Sequence, residues 1–398
     1  MAAFRQFLPM ALLALIAAPA SAWDGVFVPA PDYTDEAEAP ATTPAATLLQ
    51  DGRVAIVDGW GVYVFDPAHS TVARVATLPF SLPGAPFTSL PDGKALLIGD
   101  FCYTNNRGIV FDPADNSVIA TPNLATPRVA PSVTPLADGR VMIAGGCADD
   151  ICATPLASTE IYDSATGTFS PGPSMLQRRA FHSATLLADG RVLFYGGKGY
   201  GASAPDGGYL SALDTAELYD PATNSFKYTR NRNGDQTYMW WSRSYHTGSA
   251  MPNGKVLLCG GHQTGAVDYG VAYSCDIFVI ATGEIISRPG VALPYGSGAM
   301  DHTATVLADG TLLIAGGIDN MWPIPKASAR IYDPVTKTVH EVSGMTHARR
   351  SAAAVRLLDG SVLMIGGQTT PAPPAPSLGT PTMERYVRDD IFKDAFER

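Results

Sequence analysis

LLADGRVLFYGG, residues 186–197, decides the fold. It holds an apolar pair, an Asp189-Gly190 turn, four consecutive apolar residues and a Gly-Gly stop. Asp-Gly between two apolar runs is the strongest short hairpin signal, and it predicts positive φ at both turn residues. A run such as Val192–Tyr195 predicts a strand covered on both faces. The phrase recurs as LLQDGRVAIVDG at 48–59, SLPDGKALLIGD at 89–100 and PLADGRVMIAGG at 135–146. It returns as AMPNGKVLLCGG at 250–261, VLADGTLLIAGG at 306–317 and LLDGSVLMIGG at 357–367. The turn residues Asp51, Asp92, Asp138, Asp189, Asn253, Asp309 and Asp359 number the units one to seven.

Most units continue into a third strand ending in an aromatic and an acidic turn. Examples are TEIYDSATGTF at 159–169, AELYDPATNSF at 216–226 and ARIYDPVTKTV at 329–339. Shorter forms are VYVFDPAHSTV at 62–72 and GIVFDPADNSV at 108–118. The acidic turn opens a fourth strand. Four antiparallel strands per repeat predict an all-β, seven-bladed β-propeller. The last unit reaches its third strand at Met383-Glu384-Arg385-Tyr386 and then runs into a charged terminus. GVFVPAP at 25–31 resembles the fourth-strand segment GTFSPGP at 167–173, so the N-terminal strand is expected to pair into the last blade and close the ring.

Composition agrees. Of 398 residues 46% are hydrophobic and 16% charged, which excludes a largely disordered chain. The 39 Gly and 32 Pro, spread throughout, suit short strands and oppose long helices. A net charge of −10 speaks against nucleic acid or an anionic membrane as the main partner.

Residues 1–22 read as a signal peptide: Arg5, an apolar run from Phe7 to Ala18, and Ala20-Ser21-Ala22 at the cleavage point. The run is too short to span a bilayer. The expected product is a secreted or periplasmic protein, a single propeller over 23–398, with an acidic arm over 35–44. Export makes the five cysteines disulfide candidates. Cys147 with Cys152 closes a short loop, and Cys259 with Cys275 joins two successive strands, leaving Cys102 unpaired.

These units resemble the kelch repeat: Gly-Gly, a tyrosine before an acidic turn, and an aromatic opening the outer strand. Phe169, Phe226 or Val339 stands where that repeat usually has tryptophan. The resemblance covers nearly the whole chain and implies the fold. Its functions range over enzymes, adaptors and sugar binders.

Aligning the units on their turns exposes candidate site residues. Ten positions before the turn stand Arg128, Arg179, Arg243 and Arg349; seven before it stand His182, His246 and His302. Equivalent positions share one height around a propeller axis, so these side chains would form a partial ring at one mouth of the channel. Arginine suits carboxylate, sulfate or phosphate, and histidine suits acid–base work or metal ligation. In kelch repeats the same positions also serve neighbouring backbone and orient blade contacts. Both roles stand open at this stage.

The longest insertions fall in units four and five. KGYGASAPDGGYLSALD at 198–214 is a Gly-rich loop. YTRNRNGDQTYMWWSRSYH at 228–246 sets Tyr238, Trp240, Trp241 and Tyr245 among arginines, a mixture suited to sugar rings with acidic substituents. Trp322 joins the same face.

The galactose oxidase group of copper radical enzymes also uses a kelch propeller, and Tyr245-His246 resembles its Tyr-His pair. That resemblance implies a second, cysteine-linked tyrosine on an earlier blade, where this chain has Phe181. The partner cysteine and the tryptophan over the cross-link have no counterpart either. No nucleophile elbow, phosphate loop or zinc-protease motif occurs. The leading reading is therefore a ligand-binding module for carbohydrate or an extracellular protein, with no cofactor. Its ligand-binding residues would be Arg179, Arg243, Arg349, His302, Tyr238, Trp240, Trp241 and Trp322. The alternative is an enzyme on an acidic saccharide (an epimerase, lyase or oxidase) using Tyr245, His246 and His182 for catalysis.

Overall fold

The second strand of every unit is apolar throughout because it is sandwiched between two neighbours. In the computed structural model, which describes residues 25–33, 43–99, 106–200, 210–230, 233–239, 241–264, 269–294, 299–319, 324–369 and 378–388, seven four-stranded antiparallel sheets make a seven-bladed β-propeller. No helix occurs among the described residues. Blade four is built from Ser183–Leu186, Val192–Tyr195, Ala216–Asp220 and Ser225–Tyr228. Blade five is built from Thr247–Met251, Lys255–Cys259, Ser274–Val279 and Glu284–Ala292. The first strands of successive blades touch all the way round, and Ala353–Arg356 of blade seven meets Ala45–Leu48 of blade one.

Side chains alternate across a strand, so each second strand feeds two seams. Val192 and Phe194 pack on Met142, Ala144 and Ile161 of blade three. Leu193 and Tyr195 pack on Val256, Leu258 and Phe278 of blade five. Each such side chain contributes about 1.5–3 kcal/mol by leaving water. A Gly-Gly corner ends the run where backbones meet: Gly197 N–H donates to the Arg243 carbonyl of the next blade at 2.8 Å. A Cβ on Gly197, with φ of 98°, would lie 2.6 Å from the Ala180 carbonyl oxygen.

The Asp-Gly turns correct one expectation. Only the glycine, such as Gly190 at φ 84°, is left-handed; Asp189 is not. The Asp carboxylate instead accepts the N–H two residues on, as Asp189 does from Arg191 at 3.1 Å. A type I turn followed by a left-handed glycine satisfies the same hairpin.

Closure follows the sequence expectation. Gly25–Ala30 pairs antiparallel with Met383–Arg388 as the outermost strand of blade seven. Phe27 meets Tyr386 there with ring centroids 5.1 Å apart. Both expected disulfides are present, Cys147–Cys152 and the cross-strand pair Cys259–Cys275. Residues 1–22, Cys102, Trp240, Trp322 and most of the acidic arm lie outside the described residues. No helix among the described residues is long and apolar enough to cross a membrane.

Removing residues 25–33 is expected to bare the edge of Met383–Arg388, lower the melting temperature and promote association through that edge. Differential scanning calorimetry with size-exclusion chromatography checks this. An unchanged melt and a monomeric profile would refute strand closure as a stability element.

Candidate functional site

Four arginines at the same point of the repeat need partners, because an isolated buried charge is too costly to keep. Arg128, Arg179, Arg243 and Arg349 are each 0% exposed. Arg179 donates to the Gly196 carbonyl at 2.7 Å and to Glu217 Oε1 at 2.6 Å. Glu217 in turn accepts the Leu176 and Gln177 N–H groups. Arg128 repeats the scheme with Glu160, Arg349 with Glu384, and Arg243 with Asp276. Tyr195 of blade four also donates to Asp276. Burial raises Glu384, but the Thr346 and His347 N–H groups and Arg349 outweigh it and hold its pKa low. The guanidinium forks thus lie inside the blades, gripping acids that sequence reading missed. The signal was available in the second letter of T-E-I-Y-D, A-E-L-Y-D and M-E-R-Y.

Blade six confirms the logic by exchange. Ala299 occupies its arginine position and Arg330 its acid position, where Arg330 reaches Glu341 on the next strand. Both partners changed together, so no charge is stranded.

The histidines form a chain between blades. His182 Nε2 lies 2.9 Å from Ser132 Oγ, His246 Nε2 2.9 Å from Ser183 Oγ, and His302 Nε2 3.0 Å from Thr247 Oγ1. Each Nδ1 is buried without a hydrogen-bond partner. Burial and then Arg179 hold His182 down at about 3, and burial takes His302 to about 4. Burial, Arg243 and the two neighbouring histidines keep His246 well below the ordinary value. All three are neutral at pH 7.

The residue just before each histidine position is partly exposed in blades four to seven and buried in blade three. Ala130, Phe181, Tyr245, Asp301 and Ser351 occupy it in blades three to seven, with φ of 50°, 53°, 56°, 55° and 50°. A bulky aromatic in the left-handed region is an outlier, and such strain concentrates at functional sites. Phe181 and Tyr245 are partly exposed, and their rings meet at a tilt of 33° with centroids 4.5 Å apart. The Tyr245 N–H donates to the Phe181 carbonyl, and the Ser351 N–H to the Asp301 carbonyl. Lys198, the first residue after the blade-four Gly-Gly corner, sets its ammonium 5.5 Å from the Phe181 centroid and 5.0 Å from that of Tyr245. On blades six and seven Arg350 lies 3.8 Å from Asp301 and donates to Gln368 at 2.8 Å. Burial raises the Asp301 pKa, and Arg350 works against it.

This position and its neighbours thus carry aromatic rings on blades four and five and polar groups on blades six and seven. Tyr245, His246, His182 and His302 are brought together here. Tyr238 and Trp241 are exposed, on the insertion leading to Tyr245. Sequence reading treated Phe181 only as a missing tyrosine and passed over Lys198.

A copper centre does not fit the donors present. No group of three or more His, Cys, Asp or Glu among the described residues could hold a metal. The three histidines spend Nε2 on hydroxyls of adjacent blades, and Phe181 offers no phenol.

A model of the Kelch motif matches residues 130–176. Two galactose oxidase sequences from Gibberella zeae are each 27% identical over 278 residues, covering 66% of this chain. The aligned region is 38% of their length, so the chain matches about two-fifths of those curated relatives. The solved structure of a fungal alcohol oxidase of the AA5 family, in complex with copper, superposes with a TM-score of 0.63 at 16% identity. That superposition covers 92% of this chain and 76% of the oxidase, and it shows a shared fold.

Two outcomes test the buried groups. Arg179→Met leaves Glu217 without its cation and is expected to cost about 3–5 kcal/mol in urea unfolding, part of which Arg179→Met/Glu217→Leu restores. For the histidines, the unfolded chain takes up protons near pH 6.5 and the folded chain does not. Stability therefore falls as pH drops from about 6.5 towards 4, by up to about 1.4 kcal/mol per pH unit for each histidine. His302→Gln should flatten that slope, and a slope it leaves unchanged contradicts a neutral, buried His302.

Proposed function

We propose that this kelch-repeat, seven-bladed propeller is an exported binding module that receives a carbohydrate at the channel mouth of blades four to seven. The observation that carries the reading is the strained Phe181–Tyr245 pair, with Asp301, Arg350 and Gln368 at the equivalent ends of blades six and seven. Aromatic rings take the C–H face of a sugar. Flanking carboxylate, guanidinium and amide groups suit hydroxyls. The two disulfides support an oxidising compartment, in line with the leader expected over 1–22.

Recognition on this reading proceeds without a covalent step. The sugar's apolar face displaces water from Tyr245. Its hydroxyls replace water at the Asp301–Arg350 edge. The rigid ring holds both halves in place, so little ordering cost is paid on binding. The buried arginines serve by fixing the segments that carry the mouth residues.

Similarity to galactose oxidase favours a second reading, an enzyme on an acidic saccharide with Tyr245 as the reacting phenol. The neutral, hydroxyl-bound histidines make poor acid catalysts near pH 7. Their free Nδ1 atoms are buried.

Isothermal titration calorimetry with a panel of monosaccharides and their methyl glycosides tests the proposal. Binding that weakens about tenfold in Tyr245→Ala, and much less in Tyr245→Phe, supports the aromatic platform. Binding indifferent to Tyr245→Ala overturns it. A sugar converted to a new product during the titration, seen by chromatography, selects the enzyme reading.

A further inference from the structure

Lys198 is the one feature of the mouth that a neutral sugar does not explain. It follows Gly197 and pairs with Ala212 in the short hairpin Lys198–Gly199 with Ser211–Ala212. Its backbone is fixed in both directions to Ala180, with bonds of 2.7 and 2.9 Å. The side chain is half-buried, and its ammonium touches two aromatic faces. No carboxylate lies within ion-pair distance of it among the described residues. The four buried arginines, by contrast, each have an acid.

At the matching position of blade five stands His262, whose backbone pairs with Ser244. Burial and then the Lys198 charge push His262 towards its neutral form. Among the described residues this side of the channel thus sets no carboxylate against the Lys198 charge, on a protein of net charge −10. Burial alone pulls the Lys198 pKa down. A half-buried ammonium without a counter-charge holds part of its desolvation cost unrepaid, and an anion placed beside it repays that cost.

We propose that Lys198 selects a ligand bearing an anionic group, a carboxylate or sulfate on a sugar whose ring lies on the Phe181–Tyr245 platform. This rests on the carbohydrate reading above and names the chemistry of its ligand. The cation sits over the rings, so the anion must project from the edge of the stacked sugar. A substituent on C6 of a pyranose has that disposition. Sequence reading assigned anion recognition to Arg179, Arg243 and Arg349; with those buried in ion pairs, Lys198 is the available cation beside the aromatic pair.

The test compares methyl β-D-galactopyranoside with methyl β-D-galacturonide and galactose 6-sulfate, and the corresponding glucose series, by calorimetry on wild type, Lys198→Met, Lys198→Arg and Tyr245→Ala. In wild type at least one charged sugar should bind about tenfold tighter than its neutral counterpart, an advantage that shrinks as salt rises from about 0.02 to 0.5 M. Lys198→Met should lose that advantage, and Lys198→Arg should keep most of it. Uronate against sulfate separates the two anion sources. Charged sugars bound no tighter than neutral ones, or an advantage that survives in Lys198→Met, overturns the role of Lys198. Neutral binding lost in Tyr245→Ala would still uphold the carbohydrate reading in that case. Absence of binding by every sugar overturns both. Matching melting curves confirm that each variant is folded.

Discussion

Everything in this molecule depends on the second strand of each blade being buried from both sides. Val54 and Ile56 face blade seven while Ala55 and Val57 face blade two, and the same division repeats around the ring. No blade can bury its own core, so the seven seams form together or not at all. The Gly-Gly corner adds backbone hydrogen bonds across the seam where no side chain fits. Closure of the ring by Gly25–Ala30 uses the chain's own N-terminal side to complete the last sheet.

Within that frame the buried ion pairs are devices of position. A buried pair is weak evidence of stability, since desolvation offsets most of its attraction. What Arg179–Glu217 and its counterparts achieve is geometric. Each arginine reaches the Gly-Gly carbonyl and the third-strand acid, and in blades three, four and seven that acid holds the N–H groups of the incoming segment. The segment entering the first strand is thereby fixed. Blade six, with Ala299 and Arg330, keeps the same backbone by a different pairing.

The result is a repeated backbone that presents non-repeated side chains. Ala130, Phe181, Tyr245, Asp301 and Ser351 share one left-handed conformation and nothing else. In the repeat phrase this position carries no pattern, so the alignment of turns that exposed Arg179 and His182 passed over it. Lys198 was hidden for a related reason. It opens an insertion that reads as a loop, and its approach to Phe181 and Tyr245 depends on how two blades meet. Fixed letters in the repeat marked architecture, and variable letters marked the candidate site.

Fold class, blade number and both disulfides were legible in the residues alone, because each rests on short-range rules of strand periodicity, turn chemistry and cysteine spacing, and closure was legible because residues 25–31 repeat a fourth-strand segment. Tertiary structure decided the rest. It turned the arginines inward, since a buried guanidinium goes to the nearest acid and the third strands of blades three, four, five and seven each supplied one. It kept the histidines neutral by burying them against hydroxyls of the preceding blade. It also brought Lys198 over two rings drawn from different units, a meeting of residues 17 to 47 positions apart that no local pattern encodes.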